Sequence, residues 1–295
     1  MGRLFFSVGL LLILISLSGA HPTQRRTKLG VLDFGSAPVG KVAAETVRSM
    51  LRSVHDFQVL DSDLSASAAR GIGYSGSLNM TVSEARELGA AMDAEFYLVG
   101  DAQTLRRSSS KTPVYYESYS SIFVISSRTG RLVFWDRVNT ESDNPSDAQQ
   151  KLTKLLSDNQ VTERCLSAIR KAQLDESGQR LVDLNSTPML IEEAPDDEIL
   201  VTAQGLQLPR PYRRLRPVYT ESAARAEVEA TVDVLADIGA DGEVGQVQVT
   251  RWAGFGLDET TVTTVRQLHF FPAMRNGTPI PMRVLLRYNF RKPAQ

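Results

Sequence analysis

The sequence predicts an α+β protein in two folded parts: an N-terminal α/β sandwich with a mixed sheet, then a linker, then a small β-β-α-β domain. Three observations carry this. Short apolar runs alternate with stretches of helical period up to residue 173, periodicity fades over the next 35 or so residues, and a two-residue alternation returns around the Gly239-Ala240-Asp241-Gly242 turn. A composition of 42% hydrophobic and 23% charged residues is that of an ordinary soluble globular protein. Lys and Arg number 33 against 34 Asp and Glu, so no basic field draws in nucleic acid and none is expected as a partner. Cys165 is the only cysteine, which excludes an intrachain disulfide.

Residues 1–20 carry one basic residue, Arg3, then an apolar and small-residue run from Leu4 to Leu17, then Ser18-Gly19-Ala20. Small residues at Ser18 and Ala20 suit signal-peptidase cleavage before His21. The alternative is a short inner-membrane anchor within residues 4–20, although the run is shorter than the roughly 20 apolar residues a span needs.

The first folded part is expected over residues 28–173. Lys28 to Phe34 reads as a buried strand that ends in a Gly/Ser/Pro turn, and Val39 to Val54 follows with Val39, Val42, Ala43, Val47, Met50, Leu51 and Val54 on one helical face. Phe57 to Leu60 is a short strand. Thr81 to Met92 is a helix with Thr81 or Ser83 as cap, leading into the strand Phe96 to Gly100. Val114 to Ser127 and Leu132 to Val138 alternate on either side of Arg128-Thr129-Gly130 and form a hairpin. Pro145 to Gln173 closes this part as one long or two consecutive amphipathic helices.

Several motifs tempt a chemical reading. Gly71-Ile72-Gly73-Tyr74-Ser75-Gly76 matches G-x-G-x-x-G, but it follows a polar helical stretch instead of joining a strand to a helix, so a loop is expected. His21, His55 and His269 lie far apart without carboxylate or thiol partners at ligand spacing, so no metal is assigned. Glu192-Glu193 and Asp196-Asp197 sit in a polar segment where nothing separates their pKa values. Ser108-Ser109-Ser110 lacks a histidine partner, and Cys165 falls among helical apolar positions as a buried thiol. No cofactor is called for and no enzyme is expected.

Residues 174–209 read as an acidic linker, with a short strand at Ile199-Leu200-Val201. From Asp175 to Leu208 it would reach roughly 110 Å if fully extended, enough to separate two domains. Arg210, Arg213, Arg214 and Arg216 follow as a solvated flank or a docking patch.

Residues 210–291 form the terminal domain. Ala223 to Ala226 begins as a helix, and Val228, Ala230, Val232, Val234, Ala236 and Ile238 then alternate with Glu229, Thr231, Asp233, Leu235 and Asp237 as a half-buried strand. Val244 to Thr250 pairs with it through the Gly-rich turn, and Asp258 caps a helix running to Leu268. Pro272 ends that helix. Met282 to Phe290 is the last strand, with Val284, Leu286 and Tyr288 on one face and Leu285 on the other. Placed at a sheet edge, it would expose unpaired N–H and C=O groups to which a partner's extended peptide can add.

Pro217-Val218-Tyr219, Asp241-Gly242-Glu243-Val244, Gly254-Phe255-Gly256-Leu257-Asp258, Phe270-Phe271-Pro272-Ala273, Asn276 to Ile280 and Leu286 to Phe290 together resemble the C-terminal domain of the TonB energy transducers. The Trp-basic-Phe of that family is here Leu268, His269 and Phe270. Leu-Gly-Val-Leu-Asp-Phe at 29–34 and the stretch from Ala85 to Gly100 resemble the periplasmic TolB N-terminal and CsgG-like domains, over residues 28–172. The first resemblance implies a periplasmic energy transducer or adaptor that binds a TonB-dependent outer-membrane receptor by strand addition of its TonB box peptide. Residues carried over for partner binding are Arg216, Pro217, Val218 and Tyr219 at the entrance and Arg283, Val284, Leu285, Leu286, Arg287, Tyr288, Asn289 and Phe290 on the strand. An ExbB/ExbD-like inner-membrane motor and a homo-oligomer stand as further partners compatible with it. The alternative is a soluble periplasmic scaffold of envelope assembly with no energy-transducing role, favoured by the cleavable leader and the missing proline-rich spacer.

Overall fold

Alternation along the central strands assigns each side chain to one of two cores. A computed structural model describes residues 25–108, 113–185, 191–195 and 205–292. The leader, Ser109-Ser110, Asp196-Asp197 and the strand expected at Ile199-Leu200-Val201 lie outside the described residues. Strands β1 (Thr27–Val31), β2 (Phe57–Val59), β3 (Phe96–Arg107), β4 (Tyr115–Ser126) and β5 (Leu132–Ser142) form one sheet in the order β2-β1-β3-β4-β5. β1 runs parallel to β2 and β3 and the other pairs are antiparallel, which is the mixed sheet expected.

Because successive strand residues point to opposite faces, Leu98, Ile122 and Val124 face one core and Tyr97, Val99 and Phe123 the other. The first face is covered by α1 (Pro38–Arg52), α4 (Pro145–Leu156) and α5 (Asn159–Asn185). Cys165 lies there, with burial pushing its thiol up to about 12, an inert core residue. The second face takes α2 (Ser62–Gly71) and α3 (Val82–Ala91), the latter started by a capping box between Thr81 and Glu84. Gly71 ends α2, and Ile72 to Gly76 follow it as a loop with no strand-to-helix turn, so the glycine motif closes a helix.

The rest of the second face is filled by the C-terminal part. Trp252, Phe255, Val234 and Leu257 belong to the same core cluster as Tyr97 and Phe123. Phe123 lies 6.0 Å from the Trp252 ring and 5.6 Å from Phe255, and Trp135 lies 5.3 Å from Phe255. The Trp252 indole N–H donates to the Gly130 carbonyl at 3.1 Å, so the buried indole keeps a polar partner. The linker therefore does not hold the two parts at a distance. Residues 174–185 continue α5, and the later described residues form β6 (Glu192–Glu193), β7 (Leu206–Gln207) and β8 (Arg210–Pro211), each paired with the C-terminal part.

That part contains α6 (Glu221–Ala226), β9 (Ala230–Ile238), β10 (Val244–Arg251), α7 (Leu257–Arg266), β11 (Phe270–Phe271), β12 (Ala273–Arg275), β13 (Thr278–Ile280) and β14 (Met282–Phe290). Its main sheet has the order β10-β9-β14-β6. The helix cap is not Asp258 but Gly256, at φ 75°, and α7 stops at Arg266 before three short strands that had no periodic signal.

Candidate functional site

β14 pairs along its whole length with β9 on one side, Met282 opposite Ile238 through Phe290 opposite Ala230. On its other side β6 runs parallel, with Met282 opposite Glu192 and Arg283 opposite Glu193. The Ala194 N–H donates to the Arg283 carbonyl at 2.8 Å. In an antiparallel ladder the N–H and C=O of one residue point to the same side and successive residues alternate. Arg283, Leu285, Arg287 and Asn289 therefore direct their backbone groups away from β9. Of these four, Leu285, Arg287 and Asn289 have no backbone partner on that side among the described residues. Among the described residues these three leave the outer side of β14 without a strand, and a correction to the expected edge applies at Met282 and Arg283, where the chain's own β6 already sits.

The side chains of the same four residues stand on the sheet face remote from the core. Arg283 grips Asp237 at 2.6 and 3.0 Å and Arg287 grips Asp233 at 2.7 and 3.0 Å, both as paired contacts, while Thr231 donates to Asn289 at 2.8 Å. Arg251 adds a 3.4 Å contact to Asp233. Bidentate geometry fixes orientation as well as attraction, so these pairs tie β14 to β9 through their side chains. Leu285, half exposed between the two arginines, supplies an apolar step on an otherwise charged surface.

Of the entrance residues, Tyr219 reaches the far end of β14. Its ring lies 6.4 Å from Phe290, and its hydroxyl donates to the Val228 carbonyl at 2.8 Å. The Val218 carbonyl accepts from Thr260 of α7 at 3.1 Å, and the Val218 side chain, like Arg216, is exposed, with Pro217 half-buried between them. Val284, Leu286, Tyr288 and Phe290 turn inward to the core, where burial raises the Tyr288 phenol. The odd-numbered residues of β14 thus turn their backbone groups outward, while the even-numbered side chains anchor the strand.

Sequence reasoning missed Arg275, Glu192 and Glu193 at the occupied end of the edge, where Arg275 and Glu192 are ion-paired at 2.6 Å. The acidic positions alternating along β9 and the arginines alternating along β14 were a legible signal for the Asp–Arg clamps. A further recess of about 300 Å³ is lined by residues of β5 and β10 together with Trp252, Asp258 and Glu259. The Asp258 carboxylate accepts the Ala253 and Gly254 N–H groups, each at 2.8 Å, and so holds the loop that carries Phe255. Burial pushes its carboxyl up to about 7 against those two bonds.

Residues 216–291 match the family model for the Gram-negative bacterial TonB protein C-terminal domain. Among solved structures, the chain is similar to the TonB C-terminal domain of Pseudomonas aeruginosa, at 23% identity over 30% of this chain and 89% of that one, with a TM-score of 0.26. It is also similar to the LpoB C-terminal domain of Salmonella enterica (16% identity, 39% and 82% covered, TM-score 0.28) and to the PelC dodecamer of Paraburkholderia phytofirmans (14%, 45% and 86%, TM-score 0.27). These structural likenesses carry no argument about function. No curated protein matches the chain. Among the described residues no helix is long and apolar enough to cross a membrane.

Proposed function

We propose that this chain is a TonB-like transducer or adaptor of the cell envelope, working in the periplasm, that holds a TonB-dependent outer-membrane transporter by accepting its extended peptide as a strand beside β14. The observation that carries this reading is the side of β14 that has no strand partner among the described residues at Leu285, Arg287 and Asn289, in a segment that matches the TonB C-terminal family. An unpaired strand edge offers main-chain hydrogen bonds to any extended peptide, and the flanking side chains select among them. The test is titration calorimetry of the whole chain with synthetic peptides from the periplasm-facing N-terminal segments of the TonB-dependent transporters of the same organism. Binding that falls at least tenfold in Leu285→Pro supports the reading; no binding by any peptide, or equal binding by the variant, rejects it.

A second reading, an envelope scaffold with no energy-transducing role, is favoured by the burial of Trp252 and Phe255 against Phe123. A force transmitter reaching from an ExbB/ExbD-like motor needs its receptor-binding domain held clear, whereas here that domain leans on the first sheet. Release of the mature chain from the membrane fraction with His21 as its first residue would favour the scaffold. The TolB N-terminal and CsgG-like likeness of residues 28–172 finds no support in the comparisons and remains a proposal about fold.

A further inference from the structure

We infer that the chain carries its own occluding strand: Glu192 to Ala194 occupies the start of the β14 edge and must leave before a partner strand can pair along the whole edge. This rests on the reading of β14 as the docking edge. Three contacts define the occluded state. Glu192 and Glu193 pair in parallel register with Met282 and Arg283, the Ala194 N–H donates to the Arg283 carbonyl at 2.8 Å, and the Glu192 carboxylate meets Arg275 at 2.6 Å. Glu193 adds a favourable charge beside the Arg283 guanidinium.

The pairing has the properties of a displaceable plug. Its ladder covers two residues, the side chains of Glu192 and Glu193 are exposed, and exposed ion pairs of this kind hold only weakly. What keeps it in place is covalent attachment, which gives the segment a high effective concentration at the edge. Among the described residues the neighbouring groups of Leu285, Arg287 and Asn289 have no backbone partner, so an incoming strand can seat there first and then extend toward Arg283, peeling β6 away. A strand that takes over the β6 register runs parallel to β14 and gains most by presenting a carboxylate to Arg275.

The probe is a fluorescent peptide with the sequence of residues 190–196, titrated by anisotropy into the whole chain and into two variants. Ala194→Pro removes the backbone donor without altering charge. Glu192→Arg combined with Glu193→Arg sets the segment against Arg275 and Arg283. If the tethered segment fills the edge in roughly nine molecules of ten, both variants bind the added peptide on the order of tenfold more tightly than the unchanged chain. The charge-neutral variant shows that the gain is not mere attraction between new arginines and an acidic peptide. Measurable and equal affinity for the unchanged chain and Ala194→Pro overturns the occlusion and leaves edge capture standing. Binding by none of the three overturns the edge reading, and the occlusion with it.

Discussion

Asn79 and Thr231 exchange two hydrogen bonds across 152 positions of sequence: the Thr231 N–H donates to Asn79 Oδ1 at 2.9 Å and Asn79 Nδ2 donates to the Thr231 carbonyl at 2.8 Å. The same amide nitrogen reaches the Trp252 carbonyl at 2.6 Å. One side chain from the loop before α3 thus completes the backbone hydrogen bonding where β9 begins and where β10 ends. The strand that pairs with β14 is therefore set in place by the first folded part.

Asn79→Ala would leave the Thr231 and Trp252 backbone groups half-buried and unpaired, at a cost of about 1–3 kcal/mol. The expected outcome is a loss of that size in chemical denaturation, with both folded parts still melting in one transition. Two separated transitions in the unchanged protein would show that the shared core does not couple them.

Gly254 lies close against the first sheet. A Cβ built there would stand 2.6 Å from Phe123 Cε1, and the residue sits at φ 73°, a conformation side chains disfavour. Gly254→Ala is expected to destabilise by about 1–3 kcal/mol, since both strain and overpacking act against it. Gly71→Ala is the control: its Cβ would meet nothing within 4 Å, and the position closes helix α2. Thermal melts of the two variants check the contrast: Gly71→Ala should be neutral or slightly stabilising.

The alternation along β9, β10 and β14 made the main sheet and its exposed face legible, because a two-residue period survives without knowledge of tertiary contacts. Glu192-Glu193 was not legible as a strand. Two residues have no period, and only the waiting edge of β14 makes them one. The same holds for Leu206-Gln207 and Arg210-Pro211, which are strands by virtue of β12 and β11. Asp258 reads as a helix cap because carboxylates favour that position, but the chain enters α7 through Gly256 in the left-handed region and turns the carboxylate back onto Ala253 and Gly254. Nothing local marked Trp252 and Phe255 as partners of Phe123, since that packing joins residues some 130 positions apart.

Asp258 gives the fold a pH dependence of definite sign. Its carboxyl is raised from an ordinary 3.8 to about 7 by burial. Between those values the folded protein binds more protons than the unfolded chain, so stability falls as pH rises through that window, by at most about 4 kcal/mol from this group. Asp258→Asn should flatten the slope of denaturation midpoint against pH between 4 and 8 relative to the unchanged protein. Parallel curves for the two proteins would exclude the assignment.

The alternation of backbone groups along β14 makes neighbouring positions respond in opposite ways to proline, which removes an N–H donor. The Leu285 N–H points to the open side, whereas the Leu286 N–H pairs with Val234 inside the sheet. Leu286→Pro should cost about 3 kcal/mol or more by breaking the ladder with β9. Leu285→Pro is expected to cost much less, because proline is tolerated where the missing donor faced no strand. Urea denaturation of the two variants measures the difference directly. Equal destabilisation would mean that the outward side of β14 is already paired along its length, and strand capture at this edge would then have no groups to use.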